Sequence, residues 1–314
     1  MKELNCDYLI VGAGAAGCVV SNRLSKNPNN NVICIEAGGK DSNFYIKIPA
    51  GFSKTVYNDK INWPYYTEKT DNTANRKIRF PRGKVLGGSS SINGHLYVRG
   101  QATDYDGWAQ KGCLGWSWSD VLPYFMKAET RPEGNKSFRG HEGPLHISDL
   151  KSPHPLAKLF IETAHSMGIK KNTDYNSGDQ EGSFLYQTMI KNSMRWSASD
   201  AYLKPILSKN NFKLLIKTYL HKIIFNNKKI ESVIIKQGLN FKKILINKEL
   251  ILCAGAINSP QILQNNGIGN QLKLKELGIK CIQNIPEVGQ NLKDHYAIRI
   301  AMRTKNVSTF NTES

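Results

Sequence analysis

One glycine turn, set between a short apolar run and a helix-compatible segment, constrains this chain more than any other feature. Tyr8 to Val11 (YLIV) leads into Gly12, Gly14 and Gly17, with Ala15 and Ala16 inside the turn, and Cys18 to Leu24 follows. The apolar run predicts a buried strand and the segment after the glycines a helix. Gly12 allows the tight turn, Gly14 lets the backbone approach a pyrophosphate, and Gly17 lets the helix pack on the strand with its N-terminal amides facing the anion. A second apolar run, Val32 to Ile35 (VICI), ends in Glu36, followed by Ala37 and Gly38. An acid about 20 residues past such a turn is placed to accept hydrogen bonds from ribose hydroxyls. Glycine turns also arise for structural reasons alone. With a strand before, a helix after and an acid at the next strand end, the pattern predicts a dinucleotide site in an α/β fold. It does not choose between NAD and FAD.

A second glycine-rich run, GKVLGGSSSINGHLYVRG from Gly83 to Gly100, has its own chemistry. Gly87 and Gly88 permit a tight backbone path, Ser89 to Ser91 supply hydroxyl donors and Asn93 offers an amide. That set suits a bent phosphate and a flat polar ring edge. A polar surface loop would carry the same residues.

This run and a later one, GAINSPQILQNNGIG from Gly255 to Gly269, resemble the two signatures of the glucose-methanol-choline (GMC) oxidoreductases, a family of FAD-dependent alcohol-oxidising enzymes. The resemblance extends to EAGG at Glu36 to Gly39, NWPYYT at Asn62 to Thr67, DYDGWA at Asp104 to Ala109, LPYFMKAE at Leu122 to Glu129 and NLKDH at Asn291 to His295. The second signature departs from the family at Asn266, where serine is usual. The resemblance implies FAD as cofactor. It places Gly87, Gly88 and Ser89 along the pyrophosphate, Asn93 and Gly94 near the isoalloxazine, the backbone of Leu220 at the adenine, and Ala254 and Gly255 at a further phosphate-side turn. Val85, His95 and Leu96 belong to the same cofactor-binding set. Some members tether FAD through a histidine just before the asparagine. Ile92 stands there in this chain, so noncovalent binding is expected.

The fold class implied is α/β: a Rossmann-like FAD domain of GMC type, interrupted by parts of a mixed α+β substrate domain. The expected division is 1–152 and 198–296 for the FAD domain, and 153–197 and 297–314 for the substrate domain. Pro153 to Gly168 has the apolar spacing of a helix, which Gly168 is placed to end. Lys213 to Ile216, Ser232 to Lys236 and Leu250 to Cys253 read as strands, and Pro260 to Asn265 as a helix.

At 314 residues and 40% hydrophobic content, the chain is long enough for two domains. No apolar run approaches the roughly 18 residues of a membrane span. The residues before the first strand leave no room for a signal peptide's apolar stretch. A cytoplasmic protein is expected, with peripheral association at the inner membrane face as the alternative. The six cysteines are scattered without a CxxC pair, which favours free thiols over disulfides or zinc. The net charge of +18 admits nucleic-acid or anionic-membrane partners. The lysines are spread among Asn and Ile rather than gathered in a patch with interleaved aromatics, so a solvated basic surface and no nucleic-acid partner are expected.

In the family, the catalytic histidine lies well beyond the NLKDH run, and no histidine follows His295 here. That histidine takes the hydroxyl proton while hydride passes to flavin N5. The residues at hand are therefore expected to lack the base. His95 and His295 are weak substitutes: the first fits packing near the flavin, and the second belongs to an aspartate-histidine pair kept alongside the separate catalytic residue. Asp294 would orient that ring or cap a helix. Choline-specific members have a glutamate two residues past that histidine, where this chain has Ala297. A quaternary ammonium needs a carboxylate or an aromatic cage, so an uncharged small alcohol is favoured, with quinone, another carrier or oxygen as electron acceptor. A nonenzymatic flavin-binding module and a nicotinamide-dependent dehydrogenase are the alternatives.

Overall fold

The computed structural model describes residues 3–295 and 300–309. Its centre is a six-stranded sheet. Three parallel strands, β1 (Glu3–Val11), β2 (Val32–Ile35) and β3 (Phe212–Leu215), lie side by side at one end. An antiparallel arm of β4 (Thr218–Asn226), β5 (Lys229–Gln237) and β6 (Asn240–Leu252) completes the order β4-β5-β6-β1-β2-β3. β6 is long enough for both roles, running antiparallel to β5 from Asn240 to Leu245 and parallel to β1 from Lys243 to Leu252.

The apolar runs alternate across the sheet because successive strand residues face opposite sides. Ile10, Val32, Cys34 and Phe212 pack on one face with Cys18 of α1 (Ala15–Leu24) and with Ala198, Ala201, Tyr202 and Leu203. Leu9, Val11, Ile33 and Ile35 pack on the other face with Ile223, Val233, Ile235 and Ile244, so the antiparallel arm folds back over the parallel strands. With both faces covered, β1 and β2 read as continuous apolar runs. On the arm, Lys222 and Lys236 point to solvent while their neighbours Ile223 and Ile235 are buried. These lysines thus sit on the wet side of amphipathic strands.

The expected helix at Pro153 to Gly168 is observed at Pro155–Ser166, and that at Pro260 to Asn265 begins earlier, as α2 (Gly255–Asn265). The strand expected at Leu250 to Cys253 is the end of β6. Between Gly83 and Ser199 the chain is mostly short elements, held by a buried ionic network. Glu129 is fully buried. Its carboxylate accepts two bonds from Arg139 (2.7 and 3.1 Å) and one from the Gly140 amide (2.9 Å). Arg99 Nη2 stands 2.8 Å from Glu129 Oε1, off hydrogen-bond alignment, and Arg139 reaches on to Asp174 at 2.6 Å.

The chain forms two compact units, Met1–Ile262 and Leu263–Ser314. The second holds a short helix, Gln271–Glu276, capped by Asn270, and a two-stranded parallel pairing of Ile268–Gly269 with Gln283–Asn284. Residues 291–295 have no regular secondary structure, so Asp294 caps no helix there; its Oδ1 accepts from the His295 amide at 2.9 Å. Ala297 lies outside the described residues. All six cysteines are free thiols. Among the described residues, no helix is long and apolar enough to cross a membrane.

Candidate functional site

The loops leaving the C-terminal ends of β1, β2, β3 and β6 meet at one edge of the sheet, the place where open α/β sheets bind ligands. Gly12 has φ +102°, and a Cβ there would lie 2.5 Å from the Cys253 carbonyl oxygen. A Cβ on Gly17 would lie 1.8 Å from the Gly12 oxygen, so the protein's own packing demands glycine at both positions. Gly14 differs. Its φ is −75°, and the nearest atoms to an added Cβ are Gly88 Cα at 3.9 Å and the Cys253 oxygen at 4.0 Å, ordinary contact distances. Nothing inside the chain requires glycine there. Gly14 also caps α1 without a side-chain acceptor, and Ala15 and Ala16 in the first turn are exposed.

The second glycine run docks onto the first. Gly39 bridges to Val85, Leu86 donates to the Gly39 carbonyl (3.0 Å), and Gly87 donates to the Ala13 carbonyl (2.8 Å). Gly87 (φ +84°) and Gly88 (φ +55°) make the turn, and a Cβ on Gly88 would come within 2.7 Å of Gly14 Cα. Gly38 passes equally close to Lys84, whose carbonyl oxygen an added Cβ would meet at 2.1 Å. The serines do less than their hydroxyls suggest. Ser90 donates to the Gly87 carbonyl and Ser91 to that of Leu86, each at 2.6 Å, so both hydroxyls close the loop itself. Ser89 alone is exposed, and its Oγ accepts from the Gly83 amide at 3.1 Å.

Glu36 ties these loops together. One carboxylate oxygen accepts from the Ala13 amide and the other from the Gly38 amide, each at 2.8 Å. The side chain is buried, which raises its pKa above the ordinary carboxylate value despite the opposing pull of the Gly38 and Ala13 amides and Lys84. A carboxylate oxygen has more than one lone-pair site, so these bonds leave acceptor capacity. Ala37 beside it is half-buried.

On the β4 side, the Lys217 and Thr218 amides donate to the carbonyls of Gly38 and Glu36 (2.8 and 2.9 Å), which places Leu220 two residues from the junction with its side chain against the arm's core. Ala254 donates to Ser259 Oγ (3.1 Å), and Gly255 opens α2 at φ +84° with nothing within 4 Å of an added Cβ. Beside Val85, Lys84 Nζ lies 4.8 Å from the Trp63 ring centre and 5.3 Å from that of Tyr219. Tyr65 stacks on Trp63 and donates its hydroxyl to Asn258. Sequence reasoning used NWPYYT only as a resemblance, although its aromatic spacing was the signal for this wall.

Farther along the loop, Asn93 is gripped by Arg195, which sequence reasoning missed. The buried guanidinium donates to Asn93 Oδ1 (2.8 Å) and to the carbonyls of Asn93 (2.6 Å), Ser90 (3.1 Å) and Ile46 (2.9 Å). An arginine between Met194 and Trp196 carries no local pattern that announces this. Gly94 is half-buried and Leu96 exposed. Ile92 is buried with Ile46, Ile61 and Val85. His95 holds φ +50° and is 7% exposed, and its Nδ1 is a buried atom with no hydrogen-bond partner. Burial, and then the Arg195 charge, push its pKa down to about 4, so the ring is neutral at pH 7. His295 is exposed and belongs to the second unit, whereas His95 belongs to the first.

A family model described as GMC oxidoreductase matches residues 6–297. The chain belongs to the GMC oxidoreductase family. Among curated relatives it is similar to the oxygen-dependent choline dehydrogenases of Brucella anthropi (42% identical over 95% of this chain and 54% of the relative) and Sinorhizobium fredii (41% over 98% and 56%). Among solved structures it resembles pyridoxine 4-oxidase from Mesorbium loti, at TM-score 0.86 and 31% identity over 90% of this chain and 56% of that one. It also resembles an FAD-dependent oxidoreductase from Chaetomium thermophilum, at TM-score 0.84 and 30% identity over 90% and 51%. The chain spans about half the length of the curated relatives it matches. The fold is the Rossmann-like α/β domain that the sequence led us to expect.

Proposed function

We propose that this chain binds FAD noncovalently at the C-terminal edge of its sheet and forms the cofactor-binding part of an oxidoreductase acting on the CH–OH group of a small alcohol. The observation that carries the reading is Gly14. Packing explains Gly12 and Gly17, whereas Gly14, at an ordinary φ with room for a methyl group and at the N-cap of α1, leaves the backbone open to the close approach of a ligand. The exposed first turn of α1 would take the pyrophosphate, with Gly87, Gly88 and Ser89 along it and Ala254 and Gly255 nearby. The spare lone pairs of Glu36 would take the ribose, and the backbone at Leu220 the adenine. Asn93, Gly94, His95 and Leu96 would face the ring system. When bound, the flavin supplies hydride-accepting chemistry; the chain's own residues bind and orient it.

The division into 1–152 and 198–296 for the cofactor domain, and 153–197 and 297–314 for the substrate domain, is part of the same proposal. Family membership argues against the nicotinamide alternative. We place the protein in the cytoplasm, with electrons passing to oxygen, another carrier or a quinone, the last requiring a peripheral seat at the inner membrane face. The relatives named as choline dehydrogenases make choline the competing substrate, and Ala297 argues for a neutral alcohol instead.

The test uses the FAD-loaded protein. Acid precipitation is expected to leave the yellow chromophore in the supernatant; flavin in the pellet contradicts noncovalent binding. Anaerobic addition of neutral alcohols and of choline is expected to bleach the flavin of the 314-residue chain slowly or not at all. General-base assistance typically contributes 10²- to 10⁴-fold, and His95, with its pKa pushed down to about 4, is too weak a base to give it at neutral pH. Rapid bleaching would place the base among these residues, and the alcohol that does it would name the substrate class.

A further inference from the structure

Arg195 is a buried cation with no carboxylate against it. All four of its hydrogen bonds go to neutral acceptors, three backbone carbonyls and the Asn93 amide oxygen. The carboxylate whose field reaches Arg195, Asp200, is already paired with lysines. Lys47 pairs with Asp41 (3.1 Å) and Asp200 (2.9 Å), and Lys204 pairs with the same two carboxylates (3.0 and 2.5 Å). Asp200 acts on Arg195 through space without a hydrogen bond, but it is shared with two lysines, so three cations face two carboxylates and a positive charge is left over. A buried charge without a partner is costly, and a neutral side chain could also donate to carbonyls.

The position of this charge gives it a use. Arg195 holds both the main-chain carbonyl and the side-chain amide oxygen of Asn93, and its field helps keep His95 neutral, so the charge is felt where the glycine-rich loop turns toward Gly94. We propose that Arg195 is a positioning residue for the cofactor, fixing Asn93 and Gly94 and lending the site a buried positive charge that favours reduced, anionic flavin over oxidised flavin. This rests on the FAD reading above. Oxidised flavin is neutral at its ring. Uptake of two electrons and one proton leaves the ring with a negative charge, which a nearby desolvated cation stabilises.

The experiment compares wild type, Arg195→Met and Arg195→Lys. Dissociation constants are measured anaerobically for oxidised FAD and for FAD reduced with dithionite. The methionine variant is expected to lose affinity for reduced FAD at least tenfold more than for oxidised FAD, equivalent to a fall of about 30 mV in the two-electron potential. The lysine variant, which keeps the charge and loses the fork of donors, is expected to weaken both forms while keeping most of the wild-type ratio. Equal losses for both forms in the methionine variant would reduce Arg195 to a loop clamp and overturn the proposal. If that variant does not fold, the wild type decides: its reduced flavin should keep the anionic spectrum at a pH where free reduced FAD has taken up its second ring proton. A neutral spectrum there overturns the proposal. Wild-type protein that takes up no FAD in either state overturns the cofactor reading, and this inference falls with it.

Discussion

Two glycines of one motif separate binding from folding. A methyl group on Gly17 would sit 1.8 Å from the Gly12 oxygen, so Gly17→Ala must push α1 off the loop, at a cost of about 1–3 kcal/mol or more. Gly14→Ala meets nothing closer than 3.9 Å and keeps an allowed φ; the unfolded-chain gain of about 0.4–1 kcal/mol is offset by the poorer N-cap that alanine makes for α1, so its stability should stay within about 1 kcal/mol of wild type. Only Gly14→Ala is expected to lose FAD affinity out of proportion to its small change in stability; urea titration beside flavin-fluorescence titration checks the pair, and full affinity in Gly14→Ala contradicts the assignment. The motif announced all three glycines alike. Their division of labour needed the position of Cys253, more than two hundred residues away in sequence. Glu36 shows the same limit: the sequence presented an acid aimed at ribose, whereas the structure shows it already holding two backbone amides.

His95 gives a residue-scale prediction with a sign. Its folded pKa, pushed down to about 4 by burial and Arg195, lies below the ordinary 6.5, so the unfolded chain binds the proton first. The stability from keeping the ring neutral is complete above pH 6.5 and is lost as the pH falls through 4. At 1.36 kcal/mol per pKa unit, the loss is on the order of 3 kcal/mol. His95→Asn, a residue that tolerates φ +50°, should lack this component. Parallel acid titrations of wild-type and variant stability without flavin check it.

At the scale of elements, the chain was most legible where periodicity and burial agree. β1, β2 and the helix Pro155–Ser166 follow from apolar runs and end signals, because each buries a face whose pattern is local. The stretch from Gly83 to Ser199 was read mainly through motifs, since its order comes from side chains meeting across long separations. Glu129 is the centre of that order, joined to Arg139 and Gly140, with Arg99 beside it. Nothing in LPYFMKAE distinguishes this glutamate from a surface residue. Glu129→Gln would leave two buried arginines with one carboxylate fewer, and breaking a buried pair costs about 3–5 kcal/mol. Thermal unfolding should show that loss, while Glu249→Gln, on an exposed residue of β6, should stay within about 0.5 kcal/mol of wild type. Equal stability of the two variants would mean the network contributes little.

For the whole molecule, the strong net charge and the cofactor site meet in one measurement. A chain of formal charge +18 attracts a pyrophosphate-bearing ligand at long range, so FAD should associate faster at low ionic strength and slow as salt is added. Steering acts on any dinucleotide, however, and does not select FAD. On the proposed reading, selection lies in the second glycine run, where Gly88 closes on Gly14 and the Asn93 loop is locked by Arg195, features that a nicotinamide site built on the first motif alone would not need. Added FAD should therefore stabilise the chain through mass action, by about 2.7 kcal/mol at one hundred times its dissociation constant. For a protein of this size that is a rise in melting temperature on the order of 5 °C. NAD and NADP at the same concentrations should give no rise. A rise with NAD equal to that with FAD would show that the first glycine turn acts alone, and that the docking of the second run serves the fold rather than the flavin.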